Sequence, residues 1–147
     1  MRLALVFLLG CGAASPAPEP EPEEDTALVP VAVGLRLTEA PTDESTGTPH
    51  TRVVLVMIHP DHGRETHPVG NLPGACVPEI PGDGEQLQQV RCWWAGQGSE
   101  LSLAQDGRRL VVTQVTNPED GTTASPPAQL LSIDIPEGRQ VIAIGTE

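Results

Sequence analysis

The sequence predicts an all-β domain, a small antiparallel sandwich or barrel of about seven or eight strands. Three observations carry that expectation. Short runs alternate apolar and polar residues with the period of a half-buried strand. Clusters of Gly, Pro and Asp separate those runs at turn spacing. The 16 prolines and 15 glycines leave no uninterrupted stretch with a 3.6-residue period beyond the extreme N-terminus.

Taken in order, Val31, Val33, Leu35 and Leu37 alternate with Ala32, Gly34, Arg36 and Thr38, which reads as a strand with one buried face. The run 52–59 is dense in β-branched residues (Val53, Val54, Val56, Ile58) and is apolar enough for an inner strand. Residues 86–94 alternate less cleanly, and 99–105 place Leu101 and Leu103 on one face. Asp106-Gly107 then supplies a tight turn into 109–116, the clearest hairpin in the chain. Residues 129–135 and 140–144 flank Pro136-Glu137-Gly138 and read as a second hairpin. No internal repeat and no second domain is legible. With one phenylalanine, two tryptophans and no tyrosine, the expected core is aliphatic.

The N-terminal segment has a different texture. Arg2 is followed by an unbroken apolar run from Leu3 to Leu9, then Gly10 and Cys11, the layout of an export signal. Seven apolar residues would span about 10 Å as a helix, against a bilayer core of roughly 30 Å. Leu8-Leu9-Gly10-Cys11 resembles the lipobox of bacterial lipoproteins. That resemblance implies cleavage before Cys11, lipidation of its sulfur and acylation of the new amine. Gly12, rather than an aspartate, follows the cysteine, which by the family's sorting rule implies the outer membrane. Two or more acyl chains make attachment stable without further help.

Three regions are therefore expected: a signal peptide over 1–10, a lipidated Cys11 with a Pro/Glu-rich tether over 11–27, and a single β-domain over 28–147. Within the tether, the 14 residues 12–25 bring prolines and carboxylates into alternation. Proline removes helix donors and the charges repel, so the segment should extend as polyproline II to about 40 Å.

Composition narrows function further. All eight basic residues are arginine, and 20 acidic residues give a formal net charge of −12; loss of Arg2 with the signal takes this to −13. Such a chain is repelled by phosphate backbones and by anionic lipid headgroups, so nucleic acid is not an expected partner. Cys76 and Cys92 form the even pair left after Cys11. In an oxidising compartment they are expected to close a disulfide loop of about 16 residues, stabilising by about 3 kcal/mol. Two buried thiols are the alternative, and zinc is disfavoured by the lack of a Cys-x-x-Cys spacing.

Two segments could carry binding chemistry. His59, His62 and His67, interleaved with Asp61 and Glu65, offer imidazoles and carboxylates suited to zinc or copper. The same residues also read as a solvated hairpin tip through His59-Pro60-Asp61-His62-Gly63, or as a pH-dependent contact. The second segment is Cys92-Trp93-Trp94. Adjacent strand residues point to opposite faces, so both indoles cannot enter one core. One is expected beside the disulfide; the other sits under a loop or stands exposed as a recognition anchor. Pro73-Gly74-Ala75-Cys76 together with Cys92-Trp93-Trp94 resembles segments of uncharacterised exported bacterial lipoproteins, a resemblance that implies no activity.

Catalytic groupings are missing. There is no Gly-x-Ser-x-Gly elbow, no lysine for a Ser-x-x-Lys pair, and no phosphate-binding glycine loop, and no cofactor is implied. The leading expectation is a non-catalytic, lipid-anchored envelope protein whose β-domain binds a protein partner or serves as an accessory subunit. The alternative is a metal- or small-ligand-binding lipoprotein using His59, His62, His67 and Asp61. A third reading, an envelope spacer, requires both tryptophans to be buried.

Overall fold

A computed structural model describes residues 12–19, 27–79, 86–118 and 123–144. Residues 1–11, with the expected signal peptide and lipidation site at Cys11, and residues 20–26 of the expected tether lie outside the described residues. Residues 12–19 carry no regular secondary structure and are exposed, and no helix among the described residues is long and apolar enough to cross a membrane.

The domain is all-β, with nine strands among the described residues in two facing sheets. The first sheet joins β1 (Val29–Asp43), β2 (Thr48–His59), β3 (Gly63–Pro73) and β9 (Arg139–Ala143) in the order β3-β2-β1-β9. The second is an unbroken meander, β4 (Ala75–Glu79), β5 (Gln86–Trp94), β6 (Gln97–Asp106), β7 (Arg109–Pro118) and β8 (Ala128–Asp134). Residue parity decides what faces inward. Val31, Val33 and Leu35 of β1, Val53, Leu55 and Met57 of β2, Val90 and Cys92 of β5, Leu101 and Leu103 of β6, and Leu110 and Val112 of β7 are all buried. They form one aliphatic core between the sheets, as the scarcity of large aromatics leads one to expect.

The expected fold class is therefore observed, with three differences of detail. Two strands, β3 and β4, occupy stretches to which the alternation assigns no strand, which brings the total among the described residues to nine. Residues 129–135 and 140–144 do not form a hairpin. Beyond β8 the chain leaves the second sheet, and β9 pairs parallel to β1 from Val29↔Arg139 to Val33↔Ala143. One ladder of the sandwich is thus parallel. The turn chemistry of Pro136-Glu137-Gly138 reverses the chain equally well within a sheet or between sheets, and the free edge of β1 decides the outcome.

That edge has a second consequence. The β9 ladder ends where Ile144 N donates to Val33 O at 2.8 Å. Past this point the N–H of Leu35 is buried without a strand partner. Gln88 of β5 shares its parity with Val90 and Cys92 and so projects into the core, where it is only 4% exposed. Its Oε1 accepts from Leu35 N at 2.6 Å, tying the two sheets across the core. Gly34 makes room for this junction: a Cβ there would lie 2.9 Å from both Ile144 Cγ1 and Ile144 O.

Candidate functional site

The β4–β5 hairpin is fastened where it matters for the tryptophans. Cys76 and Cys92 are direct cross-strand partners with Cα atoms 4.0 Å apart, and they form the expected disulfide. Cys92 is fully buried, so the bond anchors the end of β5 to the core. Beyond it, Trp94 pairs with Gln97 across a two-residue turn, Ala95-Gly96, in which both residues have positive φ (49° and 76°). That is the type I′ pattern, whose twist matches the flanking strands. Ala95 holds it at a cost of roughly 1 kcal/mol, because its Cβ crowds the backbone in the left-handed region.

Neither indole is buried. Trp93 is 46% exposed and Trp94 41%, which removes the expectation that one packs away beside the disulfide and the premise of the spacer reading. Parity explains the outcome. Trp94 shares the inward phase of Val90 and Cys92 but lies at the last position of β5, beyond the residues that close the core. Trp93 points to the outer face and lies over Gly98 of β6, where a Cβ would come within 2.7 Å of the ring. On the same outer face, Val77 of β4 is 55% exposed, diagonal to Trp93 through the pairs Ala75↔Trp93 and Val77↔Arg91. Arg91 meets Glu79 at 3.1 Å and Glu100 at 3.4 Å, so two carboxylates flank one arginine at the rim of this patch.

The histidine group lies in the other sheet. The structure brings together His59, Asp61 and His62, whose candidate ligand atoms all fall within 4.8 Å of one another. Only Pro60, Asp61 and His62 belong to the turn between β2 and β3. His59 ends β2, in phase with Val53, Leu55 and Met57, and is 3% exposed rather than solvated. His67 is a residue of β3, opposite Leu55, and is only partly exposed. The predicted tip is therefore half interior.

The His59 and His62 rings stack at 4.0 Å with 22° between their planes. Asp61 is held from two sides: Arg139 Nη2 of β9 donates to its Oδ2 at 2.5 Å, and His62 Nδ1 lies 3.1 Å from its Oδ1. The hydrogen bond from Arg139 is the main reason its pKa falls from 3.8 to about 2. Glu65, opposite Met57 on the inner face of β3, reaches both remaining imidazoles. Its Oε2 is 3.3 Å from His59 Nε2, and its Oε1 is 2.8 Å from His67 Nε2. Neither approach is aligned as a hydrogen bond, so both ring nitrogens of His59 stay without one among the described residues. Sequence reasoning noted Glu65 only as a neighbour; its role becomes visible with the β2–β3 register. His50, at the far end of β2, is separate from this group, with its Nδ1 3.1 Å from Thr48 O.

Comparison with protein-family models, with curated proteins and with solved structures returned no match.

Proposed function

We propose that this chain is a non-catalytic, lipid-anchored envelope protein whose β-domain docks a protein partner at the Trp93–Trp94 end of the second sheet. The observation that carries the reading is the pair of half-exposed indoles flanking a tight turn, with a disulfide at their back. Large aromatics on a rigid support lose little conformational freedom on contact, which is why they dominate interface energetics. Val77 extends the apolar centre, and Arg91, Glu79 and Glu100 supply a polar rim. Two carboxylates against one arginine, on a chain of net charge −12, favour a partner surface that is apolar with a basic margin. Lysine or arginine from the partner would also find the indole faces for cation–π contact. The lipobox-like Leu8-Leu9-Gly10-Cys11 and the acidic, proline-rich tether support the placement at an outer membrane, with the domain held away from the lipid.

The test is in-cell crosslinking of the tagged full chain followed by mass spectrometry. A single stoichiometric envelope protein, lost when Trp93 and Trp94 are both replaced by alanine, supports the reading. Recovery of the same partner at the same level from the double variant removes it.

A further inference from the structure

We propose that the β2–β3 turn is a site for one divalent transition-metal ion of the zinc class, with His59, Asp61 and His62 as ligands and a carboxylate oxygen of Glu65 as the adjoining fourth donor. This inference is independent of the tryptophan surface, which lies in the other sheet.

The argument begins with His59. His59 is 3% exposed, and neither of its nitrogens is hydrogen-bonded among the described residues, the Glu65 carboxylate standing 3.3 Å from Nε2 without hydrogen-bond alignment, so its ring is an unsatisfied buried polar group. Such groups are rare in folded proteins because desolvation without a partner is costly. The turn then brings His62 to a stacking distance of 4.0 Å and Asp61 alongside it. The candidate donor atoms of His59, Asp61 and His62 all lie within 4.8 Å of one another.

The support around them matches what a metal site needs. Metal-binding carboxylates and imidazoles are themselves held by outer partners, which set their direction. Arg139, of which only 15% of the side chain is exposed, holds Asp61 Oδ2 and leaves Oδ1 on the side of His62. His67 stands 2.8 Å from Glu65 Oε1, while Oε2 of the same carboxylate faces His59. His67, whose Nε2 likewise lacks a hydrogen bond among the described residues, falls outside the group formed by His59, Asp61 and His62, a change from the set His59, His62, His67 and Asp61 that the sequence suggested.

The chemical class follows from the donors. Two imidazole nitrogens with carboxylate oxygen suit zinc and its neighbours, whereas calcium and magnesium require oxygen shells. Among the described residues no thiolate is on offer, since Cys76 and Cys92 are bonded to each other. Tetrahedral zinc with bonds of about 2.0–2.1 Å needs its donors roughly 3.4 Å apart. The present spread of up to 4.8 Å closes by rotation of His62 and Asp61, whose side chains are 57% and 52% exposed, toward the fixed ring of His59.

The competing account is purely structural: Glu65 and His67 are inward polar residues that blunt the edge strand β3, and His59 is their neighbour. Zinc binding separates the two. Full chain in detergent, stripped with chelator, is dialysed against zinc and its metal content measured. One zinc per chain is expected, with affinity weakened at least tenfold in His62→Ala and in Asp61→Asn and unchanged in His50→Ala. Because His59 variants could fail to fold, the imidazole resonances of the intact protein supply a second measurement. One equivalent of zinc should shift those of His59 and His62 and leave those of His50 in place. No retained zinc, binding unaltered in both variants, or equal perturbation of His50 would each overturn the site. Loss of zinc binding leaves the partner crosslink untouched, so failure of this inference is distinguishable from failure of the docking reading.

Discussion

Replacing Gln88 with leucine isolates a buried side-chain hydrogen bond that ties the two sheets through the core. Leucine is close in volume to glutamine, so the variant removes the acceptor at 2.6 Å from Leu35 N without opening a cavity. The Leu35 N–H stays buried, since β9 ends at Ala143 and Ile144 and Gly34 close the remaining space. An orphaned buried donor costs about 1–3 kcal/mol, and the removal of a buried amide side chain offsets only part of it. We therefore expect a net loss of about 2 kcal/mol. For a domain of this size that lowers the midpoint of thermal unfolding by about 6–10 °C. Urea titration should show a lower midpoint with unchanged slope, because the surface exposed on unfolding is the same. Gln89→Leu, one residue along and facing outward, is the control and should remain within about 0.5 kcal/mol. A Gln88→Leu protein as stable as the parent would refute the assignment of Gln88 as the partner of the β1 edge.

Four further outcomes are expected. Ala95→Gly should stabilise the domain by about 0.5–1 kcal/mol, since glycine adopts φ near 49° without crowding; denaturant midpoints measure it. Gly98→Ala introduces a Cβ within 2.7 Å of the Trp93 ring, so the indole must lift, and acrylamide quenching of tryptophan fluorescence should rise with little change in fold. Reduction of Cys76–Cys92, or its replacement by serines, should cost about 3 kcal/mol, seen as a lower unfolding midpoint; equal stability would show that the hairpin does not rely on the bond. In acid, Asp61 and Asp43 both have depressed pKa values, from the hydrogen bonds of Arg139 and of Ser45 respectively. Depressed carboxylates contribute stability that is full above the unfolded value of 3.8 and is lost as pH falls toward about 2. Stability measured from pH 6 to 2 should therefore decline through that window, and Arg139→Gln should flatten the decline.

The sheets were legible wherever a strand has one clean buried face. Alternation located β1, the β-branched run located β2, and Asp106-Gly107 located the β6–β7 hairpin, where Asp106 pairs with Arg109. The strands that escaped are both edges. β3 contains Pro68 and a bulge between Val53 and Val54 of its partner, and β4 contains Pro78. An edge strand tolerates proline because one side of its ladder is unused, so its sequence resembles a loop. The same cause hid half of the histidine group. His59 could have been placed inside by extending the parity of Val53, Leu55 and Met57 by one step. Glu65 could not, because only the register Met57↔Glu65 puts it on the inner face. The exposure of both tryptophans was half legible: opposite directions follow from adjacency, but where the core stops along β5 is a property of the assembled sandwich.

The partner-docking claim is tested most directly by crosslinking the tagged full chain in its own cells, beside the Trp93→Ala, Trp94→Ala double variant. The account predicts one stoichiometric envelope protein with the parent chain and its loss from the variant, with both chains folded and equally abundant. No partner under conditions where control complexes crosslink, or an undiminished partner with the variant, would contradict it.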